Sequence, residues 1–177
     1  ATFLLGGSIC TRSCSFCQVD KGVPSKHPGN DEAIRVAKAV KALNLKYVVL
    51  TSVARDDLFD HGATLFTKTI AAIRELIPLI KIEVLTPDFW GGCKNTDEGI
   101  KLQRCRLQTV LSSNPICFNH NLETVERLQG VVRRGATYVH SLRLLKTARE
   151  IAPTIPTKSG LMLGLGENYS EVIQSLK

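Results

Sequence analysis

Three cysteines lie within eight residues near the start of the chain. Cys10, Cys14 and Cys17 follow the spacing Cys-x3-Cys-x2-Cys. Three side chains from one tight loop would diverge in a hydrophobic core, so we expect them to converge on a shared ligand. Thiolates are the usual ligands of iron–sulfur clusters. A four-iron cluster takes four ligands, so three cysteines would leave one iron open to a small molecule, as a catalytic metal keeps a free position.

A zinc knot and a disulfide framework are the alternatives for this loop. Zinc sites usually take four ligands, often as paired Cys-x2-Cys units, and the chain has no second pair. No signal peptide pattern opens the sequence, and no apolar stretch approaches the roughly 18 residues of a membrane span. We therefore expect an intracellular protein with reduced thiols, in a bacterial cytoplasm or a mitochondrial matrix. The chain starts at Ala1, so we expect the natural N-terminus to lie outside it.

The amino-acid composition indicates the class of domain and the kinds of partner that the chain could bind. The hydrophobic share of 44% and the charged share of 22% are typical of a soluble globular domain with one core. The net charge of +7 indicates an acidic partner or an anionic substrate, and a solvated basic surface explains it equally well. Aromatic residues are not interleaved with a basic run, so we expect no nucleic acid partner.

Strands and helices must alternate to position the cysteine loop. Short apolar, β-branched runs predict strands at 2–9, 46–51, 81–86, 116–119 and within 156–163. Helical spacing predicts helices from Asn30 or Asp31 to about Asn44, over 63–77, 97–111, 123–133 and 138–151, and from Tyr169 to the end. This alternation predicts one α/β domain over residues 1–177, with a parallel sheet and about five β/α units.

Polar motifs follow the predicted strands, where barrel-type sheets carry their active sites. They are Thr51-Ser52-Val53, Arg55-Asp56-Asp57, the run 119–124 and the Gly-rich run 158–167. Taken alone, Thr51 and Ser52 are also typical of an ordinary strand end with a capping hydroxyl. Arg55, Asp56 and Asp57 suit a structural ion pair as well as substrate binding, and we assign them no role. The Gly-rich run lacks the spacing of a phosphate-binding Walker loop.

The cysteine motif, with Phe16 before its last cysteine, resembles the signature of the radical S-adenosylmethionine (SAM) superfamily. Longer phrases resemble the lipoyl synthase family, at matching intervals over nearly the whole chain. They are Thr51-Ser52-Val53-x-Arg55-Asp56-Asp57-Leu58, Lys81-Ile82-Glu83-Val84-Leu85-x-Pro87-Asp88, Phe118-Asn119-His120-Asn121 and Thr157-Lys158-Ser159-Gly160. The resemblance implies a partial (β/α)6 TIM-like barrel, and a [4Fe-4S] cluster on Cys10, Cys14 and Cys17 that cleaves SAM reductively.

The resemblance also implies SAM contacts at the ends of the strands. The run 158–167 is similar to the Gly-x-Ile-x-Gly-x-x-Glu pattern that lines the adenine pocket in this superfamily, with Met162 in place of Ile. His120 is expected to be structural, since its neighbours offer no metal-ligand spacing. The implied SAM-binding residues are Phe16, Thr51, Ser52, Asn119, Asn121, Glu123, Lys158, Gly160, Met162 and Gly164.

The activity implied by the resemblance is that of a sulfurtransferase in lipoate biosynthesis. It inserts two sulfur atoms at C6 and C8 of an octanoyl chain on a lysine of a lipoyl carrier domain, using two SAM molecules and a donor such as ferredoxin or flavodoxin. A second, auxiliary [4Fe-4S] cluster belongs to that family, with ligands upstream and downstream of this sequence. We therefore expect SAM binding from these residues alone, without completed sulfur insertion.

Two other classes of protein remain open at this point. One is a different radical SAM enzyme, such as a biotin synthase-like sulfur inserter, and the other is a non-catalytic iron–sulfur or zinc protein. Cys93, Cys105 and Cys117 do not match the spacing of the auxiliary cluster ligands, and we expect free thiols there.

Overall fold

Five parallel strands form the centre of the structure, a computed structural model that describes residues 1–25, 27–29, 31–90 and 96–177. The strands are β1 (Thr2–Leu5), β4 (Tyr47–Ser52), β5 (Lys81–Leu85), β6 (Cys117–Asn119) and β7 (Thr157–Lys158), side by side in that order. The two short strands β2 (Ile9–Cys10) and β3 (Asp20–Lys21) pair with each other at the cysteine loop. The predicted α/β class with a parallel sheet is confirmed.

The helices follow the strands along the chain. They are α1 (Glu32–Ala42), α2 (Ala63–Leu76), α3 (Asp97–Leu111), α4 (Gln129–Val132), α5 (Tyr138–Ile151) and α6 (Tyr169–Ser175). A 3-10 turn, Glu126–Leu128, leads into α4. None of the helices in the described ranges is long and apolar enough to cross a membrane.

The core lies between one face of the sheet and the helices. Alternate residues of β4 and β5, such as Leu50 and Val84, are fully buried and join Phe66, Ile70 and Leu107 of the helices in one apolar cluster. Apolar surface removed from water contributes roughly 25 cal/mol per Å². This contact therefore holds the sheet rigid behind the loops that follow its strands.

The other face of the sheet is polar. Glu83 is buried there and accepts hydrogen bonds from the Tyr47 hydroxyl, from Asn119 Nδ2 at 3.1 Å and from Lys158 Nζ at 3.1 Å. Burial opposes the charge of Glu83, but the hydrogen bonds from Tyr47, Lys158 and Asn119 outweigh it and lower its pKa. The hydrogen bond to Glu83 raises the pKa of Tyr47 to about 12. The network links β4 through β7.

The bounds of two helices match the prediction because each begins at a capping threonine. Thr96 Oγ1 accepts from the amide of Gly99 at the start of α3, and Thr137 Oγ1 accepts from the amide of His140 at the start of α5. At α1 the side chain of Asp31 makes no such bond. The alternative cap, Asn30, lies outside the described residues.

Three predicted elements were wrong in extent. The first strand ends at Leu5 rather than residue 9, because Gly6 and Gly7 take φ of +86° and +91°. The helix over 123–133 is only the 3-10 turn and α4, because Glu123 has φ +65° and pairs with Leu161. The last helix, α6, ends at Ser175 instead of continuing to Lys177. The fifth predicted strand is confirmed, since β7 lies within 156–163.

Candidate cluster and cofactor site

A cavity of about 260 Å³ opens at the carboxyl ends of the strands. One wall is the end of β2 with the loop that follows it, and these together carry the three cysteines. The opposite wall is the end of β4 and the residues that follow β5. The residues that line the cavity include Cys10, Arg12, Cys14, Phe16, Cys17, Thr51, Ser52, Thr86, Asp88, Asn121, Glu123 and Arg133.

The cysteine loop is folded by its own backbone. The amide of Gly22 donates to the carbonyl of Cys10 at 2.9 Å, and the amide of Cys17 donates to the carbonyl of Cys14 at 3.3 Å. The amide of Arg12 points at Cys10 Sγ, 3.4 Å away.

The donor set fits a cluster with three thiolates. All three thiols are free and partly buried, and they line the same cavity. The predicted disulfide alternative is not formed, since the five cysteines in the described part of the chain are all free. Over that same part, no three or more His, Cys, Asp or Glu side chains gather in a group that could hold one metal ion. Burial raises the pKa of Cys14, and the guanidinium of Arg133 works against that shift.

Arg12 ties the cysteine loop to the sheet. Its Nε and Nη2 bind the two carboxylate oxygens of Asp56, with Nη2 at 2.9 Å from Oδ1, and Nη2 also lies 3.0 Å from Asp88 Oδ1. Its Nη1 donates to the carbonyl of Gly135. Thr11 adds a hydrogen bond from its hydroxyl to Asp56 at 2.8 Å. These contacts fix the loop against the ends of β4 and β5.

Three buried polar atoms in the cavity wall lack a partner among the described residues. They are Ser52 Oγ, Thr86 Oγ1 and Asp88 Oδ2. A buried polar atom without a hydrogen bond costs about 1–3 kcal/mol. The cavity is therefore suited to a ligand that brings hydrogen-bond donors to this wall, and an ammonium group is one such donor.

The structure brings together five of the ten residues predicted to contact SAM. Phe16, Thr51, Ser52, Asn121 and Glu123 line the cavity with the cysteines.

The other five predicted residues do not line the cavity. Asn119 and Lys158 are directed at Glu83 instead. Gly160 and Met162 act through their backbones: the carbonyl of Gly160 accepts from the amide of Glu123 at 3.0 Å, and the amide of Met162 donates to the carbonyl of Glu123 at 2.8 Å. Gly164 is exposed, and its amide donates to Glu167.

Glu123 is held in a strained backbone conformation. Its φ of +65° is uncommon for a residue with a side chain. Its backbone is hydrogen-bonded to both Gly160 and Met162, and Glu123 is one of the residues that line the cavity. Burial raises the pKa of Glu123, and a hydrogen bond with Asn121 opposes that shift. Strain of this kind is often found at functional sites.

Of the three charged residues after β4, two form a structural ion pair and the third contacts the cysteine loop. Arg55 is buried and binds both oxygens of Asp57, at 2.8 and 2.7 Å, while its Nη1 donates to the carbonyl of Gly6. This pair is structural and joins the end of β1 to the loop after β4. Asp56 instead belongs to the site, through Arg12.

His120 is fully buried behind the cavity, as expected of a structural residue. Its Nδ1 lies 2.8 Å from the carbonyl of Thr86, which only accepts, so Nδ1 carries the proton. Its Nε2 then accepts from Ser141 Oγ at 2.9 Å and from Arg133 Nη2 at 3.2 Å. Burial and the charge of Arg133 lower the pKa of His120 to about 4.

Sequence reasoning missed Arg12, Asp88 and Arg133. Arg12 lies inside the cysteine motif, and Asp88 lies two residues after a predicted strand, so both offered a signal by position. Arg133 offered none, because it follows a short helix that no motif marks. Cys105 lies exposed on α3 and Cys117 lies on β6, away from the cysteine loop. Cys93 lies outside the described residues.

Comparison with known proteins identifies the family of this chain. A model of the radical SAM superfamily matches residues 4–177. Lipoyl synthase 2 of Parasynechococcus marenigrum is 67% identical over all of this chain and 59% of its own length. Lipoyl synthase of Haemophilus influenzae is 48% identical over all of this chain and 52% of its own length. The chain thus spans less than two thirds of these relatives.

Solved structures share the fold. Methylornithine synthase superimposes with a TM-score of 0.69 at 16% identity, over 99% of this chain and 48% of its own. A cobalamin-dependent SAM radical enzyme, OxsB, gives a TM-score of 0.64 at 14% identity over 99% of this chain and 25% of its own. At these identities the likeness concerns the fold.

Replacing Arg12 by Gln tests how the loop is fixed. The change leaves the carboxylates of Asp56 and Asp88 without their cation, and breaking such a buried pair costs about 3–5 kcal/mol of unfolding free energy. The matched control is Arg35→Gln, which removes an exposed pair with Asp31 and should cost less than about 1 kcal/mol. Urea unfolding measures both, and equal small losses would contradict the role of Arg12.

His120 predicts a pH dependence of stability. Its pKa is about 6.5 in an unfolded chain and lower in the folded one, so the unfolded state binds the extra proton. The contribution of neutral His120 is complete above pH 6.5 and is lost as pH falls towards about 4. Because one proton changes the free energy by about 1.4 kcal/mol per pH unit, the loss reaches about 3 kcal/mol. The His120→Asn variant should lack this fall, and an identical slope in urea titrations would contradict it.

Proposed function

Because the chain belongs to the radical SAM superfamily, we propose that it forms the catalytic core of a lipoyl synthase. Its reaction is the insertion of two sulfur atoms at C6 and C8 of an octanoyl chain on a lysine of a carrier protein. One observation supports this function above all: a single cavity joins the three cysteines to the ends of β4 and β5. Relatives named lipoyl synthase, 48–67% identical over the whole chain, support the choice of substrate.

Cys10, Cys14 and Cys17 would hold a [4Fe-4S] cluster and leave one iron open to SAM. When bound, the cluster supplies the electron that cleaves SAM into methionine and a 5'-deoxyadenosyl radical, which abstracts hydrogen from the substrate. The chain's part is to hold the loop rigid through Arg12 and to keep the cysteines partly buried. Burial excludes water and strengthens the local field.

SAM would lie along the wall opposite the cysteines. Its ammonium group suits the unpartnered oxygens of Ser52, Thr86 and Asp88. Asn121 and Glu123 face the same cavity and can accept hydrogen bonds from ribose hydroxyls. We propose an indirect role for Gly160 and Met162, whose backbones hold Glu123 in its left-handed conformation.

The partners follow from this chemistry. We propose an octanoylated lipoyl carrier as substrate and a low-potential one-electron donor, such as ferredoxin or flavodoxin, as reductant. The net charge of +7 suits an acidic carrier domain. We assign the ligands of the auxiliary [4Fe-4S] cluster to the part of the relatives that this chain does not span. Free thiols suit a reducing compartment, the bacterial cytoplasm or the mitochondrial matrix.

The first test is anaerobic reconstitution with iron and sulfide, followed by reduction and EPR. We expect about four irons per chain, as a [4Fe-4S] cluster requires, and a signal that shifts when SAM is added. Cys14→Ala should lose the cluster because three thiolates hold it. Cys105→Ala is the matched control and should keep it, since Cys105 is exposed on α3. Zinc in place of iron, or a signal indifferent to SAM, would refute the proposal.

A second test addresses the substrate of the complete protein. Octanoylated carrier should be converted to lipoyl product, whereas dethiobiotin should give no biotin. The 177-residue chain alone should cleave SAM to 5'-deoxyadenosine without forming lipoyl product. Lipoyl product from the chain alone would show that no auxiliary cluster is needed.

A further inference from the structure

Arg133 places a buried positive charge beside the cysteine loop. Only 8% of the residue is exposed, and it lines the same cavity as the three cysteines. Its Nη1 donates to Ser141 Oγ at 2.7 Å and its Nη2 lies 3.2 Å from His120 Nε2. Within the described ranges, no carboxylate oxygen lies within 4 Å of its nitrogens. Burying a cation that has only neutral partners costs free energy of folding, and an anion bound nearby would offset that cost.

His120 fixes the direction of this charge without neutralising it. Because Nδ1 donates to Thr86, Nε2 has only a lone pair to offer Arg133. Ser141 likewise donates its proton to His120 and accepts from Arg133. Both contacts orient the guanidinium, and both leave its full positive charge in place.

The two acidic groups that attract Arg133 either bind another cation or have a raised pKa. Asp88 attracts Arg133 at a distance, but its Oδ1 is bound to Arg12. Glu123 also attracts Arg133, but burial raises the pKa of Glu123. Arg12 itself faces two carboxylates, so its charge is balanced inside the protein. Of these two guanidinium groups, Arg133 is therefore the one without a carboxylate in contact.

The backbone around Arg133 is attached to the cysteine loop. The carbonyl of Val132 accepts from the amide of Ser15 at 2.9 Å and from its hydroxyl at 3.2 Å. Cys14 Sγ lies 3.9 Å from the carbonyl of Arg134. These bonds hold the backbone of Arg133 against the loop, and Ser141 and His120 hold its guanidinium.

We propose that Arg133 raises the reduction potential of the cluster held by Cys10, Cys14 and Cys17. One electron from a low-potential donor adds one negative charge to the cluster, and no covalent bond forms or breaks in this step. A fixed buried cation stabilises the reduced form more than the oxidised form. This inference rests on the proposed function, since it needs the cluster.

The test is a redox titration of the reconstituted protein without SAM, followed by EPR of the reduced cluster. Arg133→Met removes the charge and keeps most of the stem. We expect its reduction equilibrium to fall about tenfold, which is about 59 mV for a one-electron couple. Arg133→Lys keeps the charge and should stay close to the parent. Arg134→Met, at the exposed neighbour, should leave the midpoint unchanged.

Ionic strength separates a buried charge from a surface one. Screening over about 10 Å at 0.1 M salt acts on exposed charges and much less on buried ones. The difference between Arg133→Met and the parent should therefore persist at high salt. A purely structural role of Arg133 would change iron content or unfolding without shifting the midpoint of intact clusters.

Two results would overturn the proposal. The first is an unchanged midpoint in Arg133→Met with full iron content, including the case in which only its affinity for SAM falls. The second is loss of the cluster in both Arg133→Met and Arg133→Gln while Arg133→Lys retains it, which would make the charge a requirement for cluster assembly instead. A parent protein that takes up no iron would refute the proposed function, and iron analysis distinguishes that outcome.

Discussion

The guanidinium of Arg12 is the interaction on which the site depends. It contacts the loop after β4, the loop after β5 and, across 123 residues of sequence, the carbonyl of Gly135. A planar group with five donors can satisfy three separate acceptors at once, which an ammonium group cannot do in the same fixed geometry. The three cysteines stand on either side of this residue. Their positions are therefore set by the ends of two buried strands, and those strands are set by the core.

Much of this arrangement follows from local sequence. Helices α3 and α5 were predicted to the residue, because a threonine cap begins each of them. The parallel sheet follows from strands that read as continuous apolar runs. The errors arose where backbone conformation overrides composition. Gly6 and Gly7 end the first strand earlier than predicted. Glu123 takes a left-handed backbone conformation that its residue type does not predict. Asn119, which the resemblance predicts at the ligand, donates a hydrogen bond to the buried carboxylate of Glu83 in this structure.

The charges around the cysteines show why the rest could not be read from sequence. Arg12 and Arg133 are the same residue type; Arg12 lies half-buried within the cysteine loop, and Arg133 is buried beside it. One meets two carboxylates and the other meets a histidine and a serine, and this difference exists only after the chain has folded. Motifs mark the ligands of a site well, because ligand spacing is local. The electric field at those ligands comes from charged residues that belong to distant segments of the chain.

The stretch after β7 contributes little to the cavity surface, yet it determines the cavity's shape. A methyl group at Gly160 would lie 2.9 Å from Asn121 Oδ1, so the side chain of Asn121 would have to move from its place in the cavity wall. The backbone there also holds Glu123 in position. Natural selection would therefore act on this stretch through main-chain geometry, with no reactive side chain to mark it. An inherited substitution in it could abolish activity while every ligand-binding group remained chemically intact.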